Sequence, residues 1–438
     1  MCHDHPDPPR RIALDVSLLA LLKIALGAWV LHCGFTHVSD DDYARTVIAE
    51  QFAHTPRLDP SGTSWLPLPF WLEGAAMAAA GRSLAVARGV AVVLGAGTAG
   101  LPYVAMRGIG VPRPAALLAA GAVIMLPWSA WLGVATVPEG WAGALLAGAA
   151  IATGSRRHQG WAAAALFGAS LSRYEAWPAC AVFAMLHAWR ALRRRGGRRE
   201  ALWAAVALAG PLAWMAWNAH AHASALHFVA RVRAFRHAIG AADIPISDKL
   251  MGYPRALVNE TPEVALLGAV GAAGMVMNAA LRIRWKFAAP TAFATAAFLL
   301  WGDVHDGAPT HHPARALVAL WWILVAAGID AVLAFIHSLP VARRRAAAIA
   351  AGSAAIAWSV SLPLRWDDFP GQSEGERRDA QIARGLDLRA RQVTSASITP
   401  CAFEHFALIA AWGAPERADV RDRSGAALTG LCPQVVER

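Results

Sequence analysis

The sequence predicts an all-α polytopic membrane protein, and three observations support this class. Apolar residues make up 56% of its 438 residues, whereas charged residues make up only 16%. Alanine and glycine dominate many of the apolar runs, which suits close packing of helices in lipid. Arginine clusters separate these runs at regular intervals, as expected for loops between transmembrane helices. A soluble globular domain has a much more polar composition and is therefore excluded.

The first apolar run follows a short polar tail and is long enough to cross the membrane as a retained helix. Basic clusters then recur up to residues 342–346, and the sequence between consecutive clusters provides enough apolar residues for two crossings. We therefore predict about eleven transmembrane helices. They lie near residues 12–34, 84–105, 114–131, 139–154, 159–171, 175–192, 201–219, 263–281, 287–302, 316–338 and 346–363.

Arginine also predicts the orientation, because basic loops remain in the cytoplasm. This rule places the N-terminus inside and most carboxylates and histidines on the opposite face. The net charge of +10 mostly reflects this topology, so nucleic acid is not a predicted partner. Residues 1–363 form a transmembrane unit, and the polar residues 364–438 form a small periplasmic C-terminal domain. We expect Cys401 and Cys432 in that domain to pair, because an oxidising compartment permits disulfides.

Three adjacent aspartates, Asp40, Asp41 and Asp42, follow the first predicted span. They begin a predicted amphipathic juxtamembrane helix over residues 40–54, with Ser39 or Asp40 as its N-cap. One acidic residue is enough to cap a helix, whereas three neighbouring carboxylates raise one another's pKa. This cost indicates use by a ligand, a metal or a proton transfer, although simple capping remains the alternative.

Further elements follow in chain order. They are Asp40, Asp41 and Tyr43; Pro67, Leu68, Pro69 and Trp71; residues 81–83; Arg88; Glu139; Arg173 and Tyr174; and His312 with Arg315. In this order, over residues 12–340, the sequence resembles the GT-C class of membrane glycosyltransferases. The resemblance is to the protein-mannosyltransferase-like and aminoarabinose-transferase-like bacterial enzymes. It implies an inverting hexosyltransferase of the bacterial inner (plasma) membrane with a GT-C fold and a periplasmic active site.

The resemblance also implies the substrates and the roles of these residues. The donor is a polyprenyl-phosphate sugar, membrane lipids surround the protein, and the acceptor is an unidentified glycan, lipid or protein. Asp40 or Asp41 is the predicted general base, because a carboxylate can take the proton of an attacking hydroxyl. Glu139 is a second active-site acid. Arginines bind phosphate well, and the other predicted substrate-binding residues are Tyr43, Arg88, Arg173, Tyr174, His312 and Arg315.

Two further segments carry weaker predictions. The loop with Asp303, His305, Asp306, His311 and His312 has the ligand types of a divalent cation, although its spacing matches no fixed motif. The sequence establishes no cofactor. Residues 220–240 form a predicted basic amphipathic helix on anionic lipid, with arginines 231, 233 and 236 on its polar face. We expect Glu175 to be an ion-pair partner of its neighbour Arg173.

A multi-span transporter or lipid flippase is the alternative function. Such proteins place ionisable residues near the middle of the membrane. In this sequence the predicted spans hold few charges, namely Asp15, Lys23, Arg88 and Asp330. The two functions differ in a testable way. An enzyme would gather Asp40, Asp41, Glu139, Arg173 and Arg315 around one outward site.

Overall fold

The structure, a computed structural model, describes residues 9–193, 197–238, 243–307, 312–399, 405–420 and 434–437. Cys401, Cys432 and His311 lie outside these residues, so the predicted disulfide and one predicted metal ligand stay predictions. Most of the described chain is helical. The helices of the N-terminal half are α1 (Pro9–His32), α2 (Asp41–His54), α3 (Leu68–Ala80), α4 (Leu84–Ala99), α5 (Leu101–Gly108), α6 (Arg113–Met125), α7 (Pro127–Trp131), α8 (Glu139–Ala152), α9 (Gln159–Ser170) and α10 (Trp177–Leu192).

The remaining helices continue the bundle and then form a C-terminal region. They are α11 (Gly197–His222), α12 (His227–Ala238), α13 (Ile246–Glu260), α14 (Pro262–Met277), α15 (Ala279–Trp285), α16 (Ala288–Val304), α17 (Val318–Ser338), α18 (Val341–Ser361), α19 (Pro363–Trp366), α20 (Gly375–Ala390) and α21 (His405–Trp412). Short 3-10 turns lie at Arg156–His158, Tyr174–Ala176, Pro313–Leu317, Gln372–Glu374 and Pro415–Arg417.

Five helical segments in the described chain are long and apolar enough to cross a membrane, which supports a multi-pass membrane protein. A sixth would be the pair α14 and α15 if it is one span, although the chain bends by 117° between them. The five segments are Pro9–His32, Leu84–Gly108, Gly197–His222, Pro313–Ser338 and Val341–Trp366.

Every segment predicted to span the membrane is helical over most of its length, but the number of spans stays a prediction. The apolar helices α6, α8 and α16 are shorter than a full span. The 14 residues of α8 extend roughly 21 Å at the α-helical rise, less than the roughly 30 Å of the hydrocarbon core. Pro127 starts α7 and separates it from α6, so the predicted span 114–131 is two helices.

Small residues allow the closest helix contacts in the bundle. Gly271 of α14 faces Gly328 of α17, and a Cβ atom at Gly328 would lie 2.3 Å from the carbonyl oxygen of Leu267. Such a contact excludes any larger side chain at this position. Helices α8 and α17 approach each other in the same way at Gly143, which packs against Val318. This contact positions the N-terminal ends of both helices beside each other.

The predicted helix over residues 40–54 is confirmed as α2, but its surroundings differ from the prediction. Tyr43 and Val47 pack against Ala407 and Ala410 of α21, and Phe52 packs against Gly74 of α3. The apolar side of α2 is therefore covered by protein, and the prediction that it rests on the membrane surface was wrong for these residues. The sequence pattern identifies an apolar face but not what covers it.

The C-terminal region, for which the sequence predicted no secondary structure, also contains a small three-stranded sheet, while the predominantly helical class agrees with the prediction. Its strands are β1 (Ala396–Thr399), β2 (Ala418–Val420) and β3 (Gln434–Glu437). The strand order is β2-β1-β3, with β1 parallel to β2 and antiparallel to β3. Side chains alternate along β1, so Ala396 and Ile398 are buried in a core that includes residues of α20 and α21.

Helix α12 does not present all of its arginines to solvent or lipid. Arg236 is fully buried, and its Nη1 lies 2.8 Å from an oxygen of Asp303. Its Nε lies 3.5 Å from Asp306. The predicted basic lipid-facing surface was therefore wrong at Arg236, because carboxylates of a distant loop balance this charge inside the protein.

Candidate active site

Three chain turns meet at Glu139, at the N-terminal end of α8. The Glu139 side chain is fully buried. Arg173, in the turn between α9 and α10, donates from Nη1 to Oε1 of Glu139 at 2.9 Å. Arg315, in the Pro313–Leu317 turn, places Nη2 3.0 Å from the same oxygen. A carboxylate suits this position because a helix N-terminus carries partial positive charge.

Both arginines also bind a second carboxylate. Arg315 donates from Nη2 to Oδ2 of Asp41 at 3.0 Å and from Nη1 to the hydroxyl of Ser39 at 2.7 Å. Arg173 donates from Nε to Glu175 at 2.7 Å, so the predicted ion pair of Glu175 is confirmed. Ion pairs thus connect five residues, which we call the Glu139 cluster. They are Asp41, Glu139, Arg173, Glu175 and Arg315.

The three adjacent aspartates have different partners. Asp40 occupies the N-cap position of α2, but its side chain makes no capping hydrogen bond. It lies instead 2.8 Å from Nη2 of Arg378 in the C-terminal region. Asp41 joins the Glu139 cluster, and 31% of its side chain is exposed. Of the three, Asp41 is therefore the one that combines contact with the cluster and access from outside.

Asp42 connects two loops of the fold. Its Oδ2 accepts hydrogen bonds from the backbone N–H groups of Val38 and Ser39, at 3.1 and 3.3 Å. Its Oδ1 accepts from the backbone N–H of Thr136, which precedes α8, at 2.9 Å. These contacts fix the start of α2 against the start of α8. Asp42 therefore helps to bring Asp41 and Glu139 together.

The charges of the cluster set the protonation state of Asp41. Burial raises the pKa of its carboxyl group, but the nearby guanidinium groups of Arg315 and Arg45 outweigh this effect and lower the pKa. Asp41 is thus ionised at neutral pH. An ionised carboxylate can accept a hydrogen bond, or a proton, from a hydroxyl group.

Arg45 is a residue of this site that our sequence analysis missed. It follows Asp41 by one helical turn, a spacing that places both side chains on one face of α2. Arg45 is buried, and its guanidinium carbon lies 4.4 Å from the ring centre of Trp65 and 5.5 Å from that of Phe70. Its Nε and Nη1 find no hydrogen-bond partner within the described chain. The spacing of four residues from Asp41 was the available signal.

Glu73 of α3 is a second buried acid near Arg45, outside the predicted spans. Burial raises its pKa to about 8, while Arg45 opposes this shift and Asp42 adds to it. The folded protein therefore keeps Glu73 protonated at neutral pH. One of its oxygens, Oε2, has no partner in the described residues.

Glu73 should make stability depend on pH. Its folded pKa is raised, so its contribution is fully present below about pH 4.5 and decreases as the pH rises towards about 8, by about 1.4 kcal/mol per pH unit. Glu73→Gln mimics the protonated acid. We expect the stability of this variant relative to wild type to increase as the pH rises from about 4.5 to about 8, and to stay constant at higher pH. Apparent Tm values of both proteins from pH 5 to 9 test this. If the Tm values of the two proteins change with pH in parallel, then Glu73 is not protonated in the folded protein.

Two predicted substrate-binding residues, Tyr43 and Arg88, lie outside the Glu139 cluster. The Tyr43 hydroxyl donates to the carbonyl oxygen of Thr36 at 3.2 Å, and its side chain is fully buried beside α21. Arg88 donates from Nη2 to the same carbonyl oxygen at 2.6 Å. Both side chains hold the loop before α2 through these hydrogen bonds. Neither belongs to the group of side chains that would contact a substrate at the Glu139 cluster.

The other two, Tyr174 and His312, also have different surroundings. The Tyr174 hydroxyl donates to the carbonyl oxygen of Ser64 at 2.8 Å, and its ring stacks on Phe228 at 4.5 Å. His312 has a left-handed backbone conformation and lies 5.6 Å from the ring of Trp128. Their sequence neighbours Arg173 and Arg315 enter the cluster, whereas these two side chains pack against aromatic rings.

The described residues of the loop at 303–312 do not form a cation site. Asp303 contacts Arg236, and Asp306 contacts Lys249 at 2.7 Å. A divalent cation would have to displace these positive charges. A different group, His37, Asp40 and Glu374, holds its ligand atoms within 4.8 Å of one another. Arg378 contacts both carboxylates of this group, so its charge also opposes a cation.

A small cavity adjoins the Glu139 cluster. Glu139, Arg173, Glu175 and Arg315 line it together with small side chains of α8 and α17. Its volume of about 10 Å³ holds about one water molecule. A sugar is far larger, so a sugar substrate would require the surrounding turns to move apart.

No protein-family model matches the sequence, and no curated protein matches it. Among solved structures, the chain is similar to the archaeal oligosaccharyltransferase AglB from Archaeoglobus fulgidus, which was solved in complex with an inhibitory peptide and a dolichol-phosphate. The TM-score is 0.48 and the sequence identity 13%. The match covers 93% of this chain but 64% of the archaeal chain. Such a coarse likeness carries no argument about activity, which must rest on the residues of this chain.

Proposed function

We propose that this protein is a membrane glycosyltransferase that moves a sugar from a polyprenyl-phosphate donor to an acceptor hydroxyl group. One observation supports this most. Asp41 is ionised and partly exposed, and it lies at the ends of several helices in a cluster with the buried Arg315 and with Arg173, which is 13% exposed. This arrangement supplies a base for the acceptor and positive charge for a phosphate leaving group.

The reaction would be a single displacement. Asp41 takes the proton of the acceptor hydroxyl while its oxygen attacks the anomeric carbon of the donor sugar. A new bond forms between that carbon and the acceptor oxygen, and the bond from the same carbon to the phosphate oxygen breaks. The electron pair of the broken bond stays on the phosphate, so polyprenyl phosphate leaves with one more negative charge. Attack from the side opposite the leaving group inverts the anomeric carbon.

The arginines would act on this developing charge. Arg173 and Arg315 are held in place by Glu139, which is fully buried between them. Fixed positive groups in a site shielded from water stabilise charge better than solvent does, because they need no reorganisation. Arg315 also keeps Asp41 ionised. Glu139 thus positions the two cations, in addition to its predicted role as a second acid.

The domain arrangement is part of the proposal. Residues 1–363 would be the transmembrane catalytic unit, and residues 364–438 a periplasmic domain over the site. The contact of Arg378 with Asp40, next to the proposed base, supports this position. The distribution of arginine supports a cytoplasmic N-terminus. The bacterial inner membrane is implied by the resemblance of the sequence to the bacterial enzymes.

The transporter alternative is less well supported by the charges inside the bundle. Asp15 of α1 accepts hydrogen bonds from Arg113 at 2.8 and 2.7 Å. Asp330 of α17 accepts from Arg284 at 2.6 Å. Arginines thus neutralise both of these carboxylates, whereas a transport path uses ionisable groups to bind a moving substrate.

A donor assay tests the proposal. Purified protein in lipid nanodiscs would receive a panel of polyprenyl-phosphate sugars with membrane extract as acceptor, and the release of polyprenyl phosphate would be measured. We expect turnover of at least one donor. If no donor is consumed, but protein in sealed vesicles moves a labelled lipid or solute, then the transporter alternative replaces this proposal.

A further inference from the structure

Arg45 differs from the two arginines of the Glu139 cluster in how its hydrogen-bond donors are used. Arg173 and Arg315 direct N–H groups to Glu139, Glu175, Asp41 and a hydroxyl group. Arg45 is buried, but its Nε and Nη1 have no partner in the described part of the protein. Of these three arginines, Arg45 therefore has N–H groups left to bind a ligand, although no sequence motif indicated it.

A buried guanidinium group without partners is unfavourable, because its N–H groups lose their hydrogen bonds to water. Trp65 and Phe70 flank the Arg45 side chain and provide cation–π contact, which satisfies neither N–H group. Glu73 provides no counter-charge for Arg45, because that acid stays protonated in the folded protein. Glu139 and Asp41 do act on the charge of Arg45, but neither accepts a hydrogen bond from its Nε or Nη1. A ligand that completes the site must therefore accept hydrogen bonds, and an anion does so best.

The second unpartnered atom lies in the Glu139 cluster itself. Oε2 of Glu139 is buried without a partner in the described residues, and Glu139 is the charge that acts most strongly on Arg45. Donors on Arg45 and an acceptor on Glu139 are thus both unused, and both residues lie close enough to Asp41 to affect its charge. This pattern is expected of a site whose ligand has an anionic group at one end and hydroxyl groups at the other, as a sugar phosphate has.

We propose that Arg45 binds the phosphate group of the lipid-linked donor through the N–H groups of its guanidinium group. The planar guanidinium fork matches two phosphate oxygens, and the rings of Trp65 and Phe70 hold its plane. This assignment rests on the proposed function. In this assignment Arg45 is the direct phosphate ligand, while Arg173 and Arg315 add their fixed positive charge to the site and hold Asp41 and Glu139 in place.

The position of Arg45 fits the reaction. One helical turn, roughly 5–6 Å along the axis, separates it from Asp41. In the displacement, the acceptor oxygen starts about 3 Å from the anomeric carbon, and the phosphorus atom lies two bonds beyond that carbon on the other side. Asp41 and Arg45 lie one turn apart on the same face of α2. Asp41 can therefore contact the attacking oxygen while Arg45 contacts the leaving phosphate.

Binding of short lipid phosphates tests the assignment without requiring turnover. Purified wild type and Arg45→Gln would be titrated with farnesyl phosphate, farnesol and inorganic phosphate. We expect Arg45→Gln to bind farnesyl phosphate about 10- to 100-fold more weakly than wild type does. Farnesol should bind both proteins equally weakly. Arg57→Gln, an exposed arginine in the loop after α2, is the matched control and should bind as wild type does.

Hydrogen–deuterium exchange of the wild-type protein provides a measurement that does not depend on the variant folding. Farnesyl phosphate should protect the peptide that contains residues 41–54, and farnesol should not. Unchanged farnesyl phosphate binding by folded Arg45→Gln, or no protection of this peptide, overturns the assignment. If wild type binds inorganic phosphate and farnesyl phosphate with equal affinity, then the site does not select the phosphate of a lipid.

The two proposals fail in different ways. If wild type turns over a donor while folded Arg45→Gln keeps the wild-type KM and farnesyl phosphate affinity, the Arg45 assignment is wrong and the glycosyltransferase proposal stands. If Arg45→Gln loses phosphate binding but wild type consumes no donor, the phosphate site stands and the proposed reaction is wrong.

Discussion

Replacement of Asp41 by Asn is expected to reduce sugar transfer by about 100-fold or more, because an amide cannot take the proton of the acceptor hydroxyl. Asn preserves the size of the side chain and can still contact Arg315. The loss should therefore appear in kcat while the apparent Tm changes little. Release of polyprenyl phosphate by purified protein in nanodiscs measures the rate.

Asp40→Asn is the matched control for this prediction. Asp40 is the adjacent residue and has the same chemistry, but its partner is Arg378, outside the Glu139 cluster. We expect a much smaller loss than for Asp41→Asn. A larger loss for Asp40→Asn than for Asp41→Asn would show that the base has been assigned to the wrong aspartate. Equal, full activity of both variants would show that neither is the base.

Removal of the Glu139 carboxylate is expected to cause the largest loss of stability. Glu139 is fully buried and contacts the buried Arg315 and the largely buried Arg173, so Glu139→Ala removes the carboxylate that the two arginines share and leaves each with one acidic partner. Breaking a buried ion pair in this way typically costs about 3–5 kcal/mol in the free energy of unfolding. The apparent Tm in detergent, monitored by the accessibility of the buried Cys180 thiol, would report this loss.

Asp248→Asn is the control for stability, because Asp248 forms an ion pair with Arg255 in which both side chains are about half exposed. Exposed pairs contribute little, typically about 0–1 kcal/mol. We expect a negligible change of Tm for this variant. If Glu139→Ala is as stable as Asp248→Asn, then Glu139 does not hold the turns at Arg173 and Arg315 together.

The resemblance to membrane glycosyltransferases led to several site residues that meet in the structure. Asp41, Glu139, Arg173 and Arg315 are separated by up to 274 residues, yet ion pairs connect them. Tyr43, Arg88, Tyr174 and His312 belong to the same motifs but contact other parts of the fold. A motif specifies the neighbourhood of a residue along the chain. The direction of each side chain depends on the local backbone and on what packs against it.

The pattern of apolar residues by itself determined the class of this protein and the positions of its helices, because a helix in lipid must be apolar and must satisfy its own backbone hydrogen bonds. The arginine distribution placed most carboxylates on one face of the membrane, and the resemblance to membrane glycosyltransferases indicated that acidic and basic residues of several turns belong together. Only the tertiary structure decided which of three adjacent aspartates joins the arginines, and that Arg45 has unused donors. The physical reason is that ion pairs and burial depend on distant segments. Asp40 is paired by Arg378, Asp42 by the backbone before α8, and Asp41 by Arg315.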